Sequence, residues 1–211
     1  MNKTKQIKII EEKIEEIKKN LAEQENALEQ LKREEIKDII TYNGFEWYII
    51  EEKANSVVLL MKERLSEDLI KKMFTDNRMI DTAFDVRFSR DESNNDWRDS
   101  YIRQVLNTKF LEKFNIDELV LMKTSYDIDK VSEDYIRLIT IEEMKKADLE
   151  KRKTSDNCGY WTMSPSRFSV TYTAANEFYA TSVGYANYGW VTNGLGVRPV
   201  IEIKKTVLNN D

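Results

Sequence analysis

Histidine is absent from the 211-residue chain, and there is a single cysteine, Cys158. Without histidine the chain cannot assemble Ser-His-Asp or Cys-His catalysis, and it lacks the commonest zinc ligand. One cysteine excludes a disulfide framework within the chain and a cysteine cluster for metal. A Cys158 thiolate would need Lys, Arg or a helix N-terminus to activate it, so the thiol reads as structural or incidental. Acid pairs exist, Asp127 with Asp129 and Glu142 with Glu143. Among 38 acidic residues such pairs arise freely and carry no weight as general acid and base. Gly194 and Gly196 form a G-x-G without the third glycine or the strand-to-helix context of a nucleotide loop. The expectation is a protein that is not an enzyme and holds no cofactor or metal.

What remains is binding chemistry, and it is concentrated near the C-terminus. Between Gly159 and Pro199 only Arg167, Glu177 and Arg198 are charged, yet this stretch holds nine of the 22 aromatic residues and five of the six glycines. A surface of Tyr, Trp, Asn, Ser and Gly resembles a paratope: aromatic rings give contact area at low entropic cost, and Asn and Ser adapt their hydrogen bonds. The candidate ligand-binding residues are Tyr172, Asn176, Phe178, Tyr179, Tyr185, Asn187, Tyr188, Trp190 and Asn193. Strand alternation implies that about half of these aromatics belong to a core instead. Aromatic faces with polar rims suit a glycan or a protein equally.

The elements that carry this surface divide into a stem, 1–37, and a head, 38–211. The stem has no Gly, Pro or aromatic residue and balances nine Lys/Arg against nine Glu. Its apolar residues follow a heptad with Ile7, Ile14, Leu21 and Leu28 at a and Ile10, Ile17, Gln24 and Leu31 at d, flanked by e-position charges of alternating sign. That seam favours a parallel coiled-coil homo-oligomer over a helix laid on its own domain, and Ile at both a and d favours a trimer.

In the head, Asp38–Tyr42, Asn43-Gly44 and Phe45–Ile50 read as a hairpin with a type I′ turn, followed by a third strand over Ser56–Met61. Ser66 reads as the N-cap of a short helix running to about Phe74. Residues 75–96 read as irregular, Trp97–Phe114 as helical, Leu119–Met122 and Tyr135–Ile139 as strands, and Ile141–Lys151 as a helix. Strand-like pieces follow at Phe168–Tyr172, Phe178–Val183 and Tyr188–Val191.

Four ordered pieces of the head carry a resemblance. Trp97–Asn107 is similar to the W-x-x-S-x-[LI]-R-x-x-L-N signature of an uncharacterised bacterial and prophage domain family. Arg137–Glu143, Tyr160–Pro165 and Gly196–Val200 resemble that family's F-L-L-S-x-E-E, W-W-L-R-S-P and G-V-R-P-A, with Met163 and Tyr160 departing from the pattern. More remotely, the pattern is similar to C-type-lectin-like domains, including the formylglycine-generating type. The resemblance implies an α+β, C-type-lectin-like head with a ligand surface on its irregular C-terminal segment. It also implies paired cysteines for the oxidase branch, which this chain lacks. Lectin-type heads often use calcium, and Asp91–Asp96 offers oxygens for a hard cation, but the chain has neither EF-hand spacing nor the E-P-N and W-N-D motifs. Most motif residues read as scaffold: Trp97, Ile102, Leu106 and Trp161 as core, Arg103 and Arg198 as buried or half-buried ties, Asn107 as a cap or backbone bridge at a helix end, and Pro165 and Pro199 as turn formers.

A net charge of −5 argues against binding a phosphate backbone, so no nucleic acid partner is expected. No apolar run approaches the roughly 18 residues of a membrane span. The polar Met1–Lys5 start shows no signal peptide. Together these suggest a multivalent, phage- or prophage-encoded protein that recognises a cell-surface glycan or protein, in the virion or the cytoplasm. The alternative is an intracellular protein that binds and modulates a host or defence protein.

Overall fold

The computed structural model describes residues 13–27, 39–82, 85–89, 94–156, 158–165, 174–179, 185–191 and 194–208. The chain separates into two units, Met1–Ile39 and Ile40–Asp211. In the first, residues 13–27 form helix α1, in which every residue is exposed. The heptad positions Ile14, Ile17 and Leu21 are 45%, 65% and 54% exposed. The rest of the heptad seam lies outside the described residues.

The second unit is α+β, with antiparallel sheets. Strands β1 (Ile39–Tyr42), β2 (Phe45–Glu52) and β3 (Ser56–Met61) form the expected meander. Asn43 and Gly44 both have positive φ, 54° and 78°, as a type I′ turn requires. The meander is only part of a five-stranded sheet of order β1-β2-β3-β12-β7, where β7 is Ile136–Leu138 and β12 is Pro199–Lys204. Pro199 therefore opens a central strand, opposite Leu138, rather than a turn. The first position of a strand is one of the few places where the missing N–H is tolerated.

β3 lies buried along its whole length. Val57, Leu59 and Met61 join the main core with Trp47, Ile201 and Phe110, while Val58 and Leu60 join a second cluster with Val200, Met122, Met144 and Tyr160. Burial on both faces explains why the strand reads as an unbroken apolar run.

Helix α2 (Glu67–Met73) has the expected N-cap, with the Ser66 hydroxyl accepting from the Leu69 amide. The segment 97–114 is less regular than its period suggests. A 3-10 turn over Trp97–Asp99 gives way at Ser100 to α3 (Tyr101–Val105), then a π-helical turn over Leu106–Phe110 and a last 3-10 turn. Ser100 has extended φ/ψ and caps α3 through the Arg103 amide, so the cap itself interrupts the helix. Likewise 141–151 splits into α4 (Ile141–Lys146) and α5 (Leu149–Arg152), because Ala147 and Asp148 adopt extended backbone between them.

One hairpin went unread in the sequence. β5 (Met122–Asp127) pairs with β6 (Lys130–Asp134), where a single strand was expected over 119–122. These strands are mostly polar on their exposed face and lack the apolar alternation that betrays a strand. β4 (Val86–Arg87) pairs with β11 (Gly194–Leu195), and β8 (Tyr160–Pro165), β9 (Ala174–Tyr179) and β10 (Tyr185–Trp190) form a three-stranded sheet of order β10-β9-β8. The expected strand over Phe168–Tyr172 lies outside the described residues. The C-terminal turn α6 spans Lys205–Leu208.

Candidate functional site

The sequence motifs resolve first into clamps. Asp134, only 2% exposed, accepts from the Trp97 indole at 2.9 Å and from Arg103 Nε at 2.6 Å. Ser100, between them, caps the helix that carries Arg103. One turn on, the Asn107 side-chain carbonyl accepts from the Tyr135 and Ile136 amides at 3.1 Å, and its amide donates to the Ile136 carbonyl at 2.6 Å. Thus W-x-x-S-x-x-R-x-x-x-N spaces three side chains along one helical segment so that all grip the β6–β7 junction. These contacts tie the helical segment to the sheet.

Arg137–Glu143 is a second clamp. Thr140 and Glu143 make a capping box at the start of α4. Arg137, 3% exposed, donates to both Glu143 oxygens, one at 2.7 Å, and to the Leu138 carbonyl at 2.9 Å. Burial pushes the Glu143 carboxyl up, but the Arg137 charge and hydrogen bonds, with the Thr140 donors, outweigh it and hold the pKa below the usual value. Glu142 instead pairs with Lys145 at 3.0 Å, so the adjacent acids serve separate roles.

The fourth motif, Gly196–Val200, contributes Arg198, whose side chain is fully buried. Its Nε donates to the Met61 carbonyl at 2.6 Å and its Nη1 to Tyr160 Oη at 3.1 Å, with the guanidinium 5.0 Å from the Tyr160 ring centroid. Gly194 and Gly196 are there for close approach. A Cβ at Gly196 would sit 2.1 Å from Arg64 Cδ, and one at Gly194 2.3 Å from Asp81 Cβ. Arg64 crosses Gly196 to pair with Asp85 at 2.9 Å and with Asp156. This knot binds the segment after β3 to Asp156 and to Asp85, the residue before β4.

The nine predicted ligand residues fall on this sheet where they are described. Asn176, Phe178 and Tyr179 lie in β9; Tyr185, Asn187, Tyr188 and Trp190 lie in β10; Tyr172 and Asn193 lie outside the described residues. The ladder sets position 185 opposite 179, 187 opposite 177, 188 opposite 176 and 190 opposite 174. Positions 176, 178, 188 and 190 therefore alternate along the hairpin with 177, 179, 185 and 187. On its other edge β9 meets β8, with Phe178 opposite Tyr160 and Glu177 opposite Trp161. Tyr160 and Trp161 are fully buried.

Of the residues weighed as chemistry, Cys158 is exposed, and its amide donates to Asp156 at 3.0 Å. Asp96, from the loop considered for calcium, takes hydrogen bonds from Arg98 and Tyr126 and pairs with Lys130 at 3.2 Å. Desolvation opposes its charge, but these donors hold its carboxyl far below the ordinary value. Among the described residues no group of three or more His, Cys, Asp or Glu is placed to hold a metal ion. None of their helices is long and apolar enough to cross a membrane.

Sequence reasoning missed a concave feature. A cavity of about 360 Å³ opens on the second-cluster face of the five-stranded sheet, over buried Met122, Arg137, Thr140 and Glu202. Glu202 is 3% exposed, accepts from the Ser56 hydroxyl and pairs with Lys53 at 2.7 Å. The visible signal was a glutamate inside the apolar run Pro199–Ile203, where a central strand tolerates a charge only with partners.

No family model, curated protein or solved structure matches the chain. The functional reading accordingly rests on its own residues.

Proposed function

We propose that the protein is a non-catalytic, multivalent binding protein, of phage or prophage type, whose C-type-lectin-like head recognises a cell-surface glycan or protein. The observation that carries this reading is α1, whose residues Ile14, Ile17 and Leu21 present 45–65% of their surface to solvent at heptad a and d spacing. An apolar stripe of that period is stabilised by copies of itself, and the Ile-rich seam favours a trimer. The ligand surface is the β9–β10 hairpin, whose Tyr, Trp and Asn positions the ladder brings together. Clustering three heads would let individually weak sites act with avidity gains on the order of 10²–10⁴. The resemblance of the Trp97–Asn107 and Gly196–Val200 segments to the prophage domain family supports the same reading.

The test uses labelled full-length protein on intact cells of several bacterial strains, beside a full-length Ile14→Lys/Ile17→Lys variant. Saturable, strain-specific binding is expected. It should weaken by about 10²-fold in the variant, whose mass by light scattering falls to that of one chain. Absence of binding to every strain would overturn the surface reading and favour an intracellular partner, sought next by pull-down from lysate.

A further inference from the structure

The second face of the five-stranded sheet is apolar over Val58, Leu60 and Val200 and then turns to charge. In the ladder, Arg137 stands opposite Val200 and Glu202 opposite Val58, so strand alternation sends both charges to that face. They line the 360 Å³ cavity, whose rim carries the exposed Glu51, Lys53, Leu121 and Lys123. That volume lies toward the lower end of small-molecule sites, about 300–1,000 Å³.

We propose that this cavity binds a neutral polyhydroxyl ligand of mono- or disaccharide size, at a site separate from the β9–β10 hairpin. Charge is the first argument. Three cations, Lys53, Lys123 and Arg137, line the cavity with three carboxylates, Glu51, Glu143 and Glu202. Two of the pairs are already made, Lys53–Glu202 and Arg137–Glu143, each at 2.7 Å. At the buried end of the cavity a charged ligand would have to displace one member of these pairs and leave its partner uncompensated, which is strongly unfavourable; only the exposed rim charges Glu51 and Lys123 stand outside them. A neutral hydroxyl donates and accepts at once, so it uses spare lone pairs and N–H groups without opening either pair.

Preorganisation is the second. Glu143 is fixed by the capping box and Glu202 by the Ser56 hydroxyl, so both carboxylates are held before any ligand arrives. Arg137 Nε carries no hydrogen bond, although the side chain is almost wholly buried. The hydroxyls of Thr124 and Ser125 add further donors and acceptors along β5, and Leu121, 48% exposed, offers an apolar surface to the C–H face of a sugar ring. The site therefore combines paired charges, hydroxyls and one aliphatic side chain.

The experiment titrates the full-length protein, by calorimetry and amide NMR, with glucose, galactose, N-acetylglucosamine and maltose. Their charged counterparts glucuronate, glucosamine and glucose 6-phosphate are run alongside. At least one neutral sugar should bind with a Kd of about 1 mM or tighter, and its charged counterpart about tenfold more weakly. Thr124→Val and Leu121→Asp, at the wall and rim, should each weaken binding about fivefold or more without changing Tm. A Tyr188→Ala variant should bind the sugar as wild type does, whatever happens to cell binding, which separates this site from the hairpin reading. The proposal is overturned if no neutral sugar binds by about 50 mM, if a charged counterpart binds as well, or if both cavity variants keep full affinity.

Discussion

β3 and β9 are both six-residue strands with a neighbour on either side, yet they are built on opposite terms. β3, Ser-Val-Val-Leu-Leu-Met, feeds two cores at once. Its neighbour β12 alternates Val200 and Glu202 on one face with Ile201 and Ile203 on the other, so a one-residue slip would drive Glu202 into the main core. Position in that sheet is specified by burial and by charge together. β9, Ala-Ala-Asn-Glu-Phe-Tyr, and β10, Tyr-Ala-Asn-Tyr-Gly-Trp, carry small, polar and aromatic residues in both alternating sets. Nothing in that composition demands one buried face. The first sheet is therefore a scaffold whose residues have little freedom to change, and the second has the residue types of a surface that can vary while its strands persist.

The comparison breaks most decisively at Asn107. If the helix-to-β7 clamp is scaffold, Asn107→Ala strands two backbone amides and one carbonyl in a partly buried site. The expected loss is about 3 kcal/mol, read as a fall in the urea midpoint. A loss below about 0.5 kcal/mol would place the motif outside the scaffold and reopen it as a contact surface.

A smaller effect should appear at Glu143. Its pKa is lowered in the folded protein, so its contribution to stability is present above the ordinary carboxylate value of 4.5 and is lost as pH falls through the depressed value. The gap in Tm between wild type and Glu143→Gln should therefore be widest near pH 6 and shrink toward about pH 3. A gap that stays constant across that range would mean that packing, rather than the Arg137 pair, carries the contribution. The tail holds few such charges, since Glu177 is the one acidic residue between Gly159 and Pro199.

The same contrast explains what could be read from the sequence. The meander was legible because Asn43-Gly44 dictates a turn and Val57–Met61 is an apolar run, and α2 because Ser66, Glu67 and Asp68 mark its start. The β5–β6 hairpin was not, since Lys123, Ser125 and Glu133 make one face polar and Thr124 interrupts Met122 and Tyr126 on the other. Nor was the sheet order: β12 sits between β3 and β7 through contacts more than 60 residues apart, and local pattern carries no record of them. Asn107 and Arg198 could be recognised as ties, but their partners could not be named. The cavity stayed hidden because Lys53, Arg137, Glu143 and Glu202 come from three distant segments and converge only when the sheet forms.

The finest test divides the tail by register. Tyr188 and Trp190 belong to the set that includes positions 176 and 178; Asn187 and Tyr185 belong to the set that includes 177 and 179. If one set meets the ligand, Tyr188→Ala and Trp190→Ala should each weaken cell binding about tenfold or more while changing stability by no more than about 0.5 kcal/mol. Tyr185→Ala and Tyr179→Ala should then lower stability by more than that and leave binding by the folded protein intact. The pairing is informative because the four substitutions remove similar aromatic groups from one hairpin and differ mainly in parity along the ladder. Loss of stability at Tyr188 and Trp190 would make their set the core face and transfer the ligand surface to the other. Equal losses in both sets would show that the hairpin is buried on both sides like β3, and the contrast between the two sheets would fall with it.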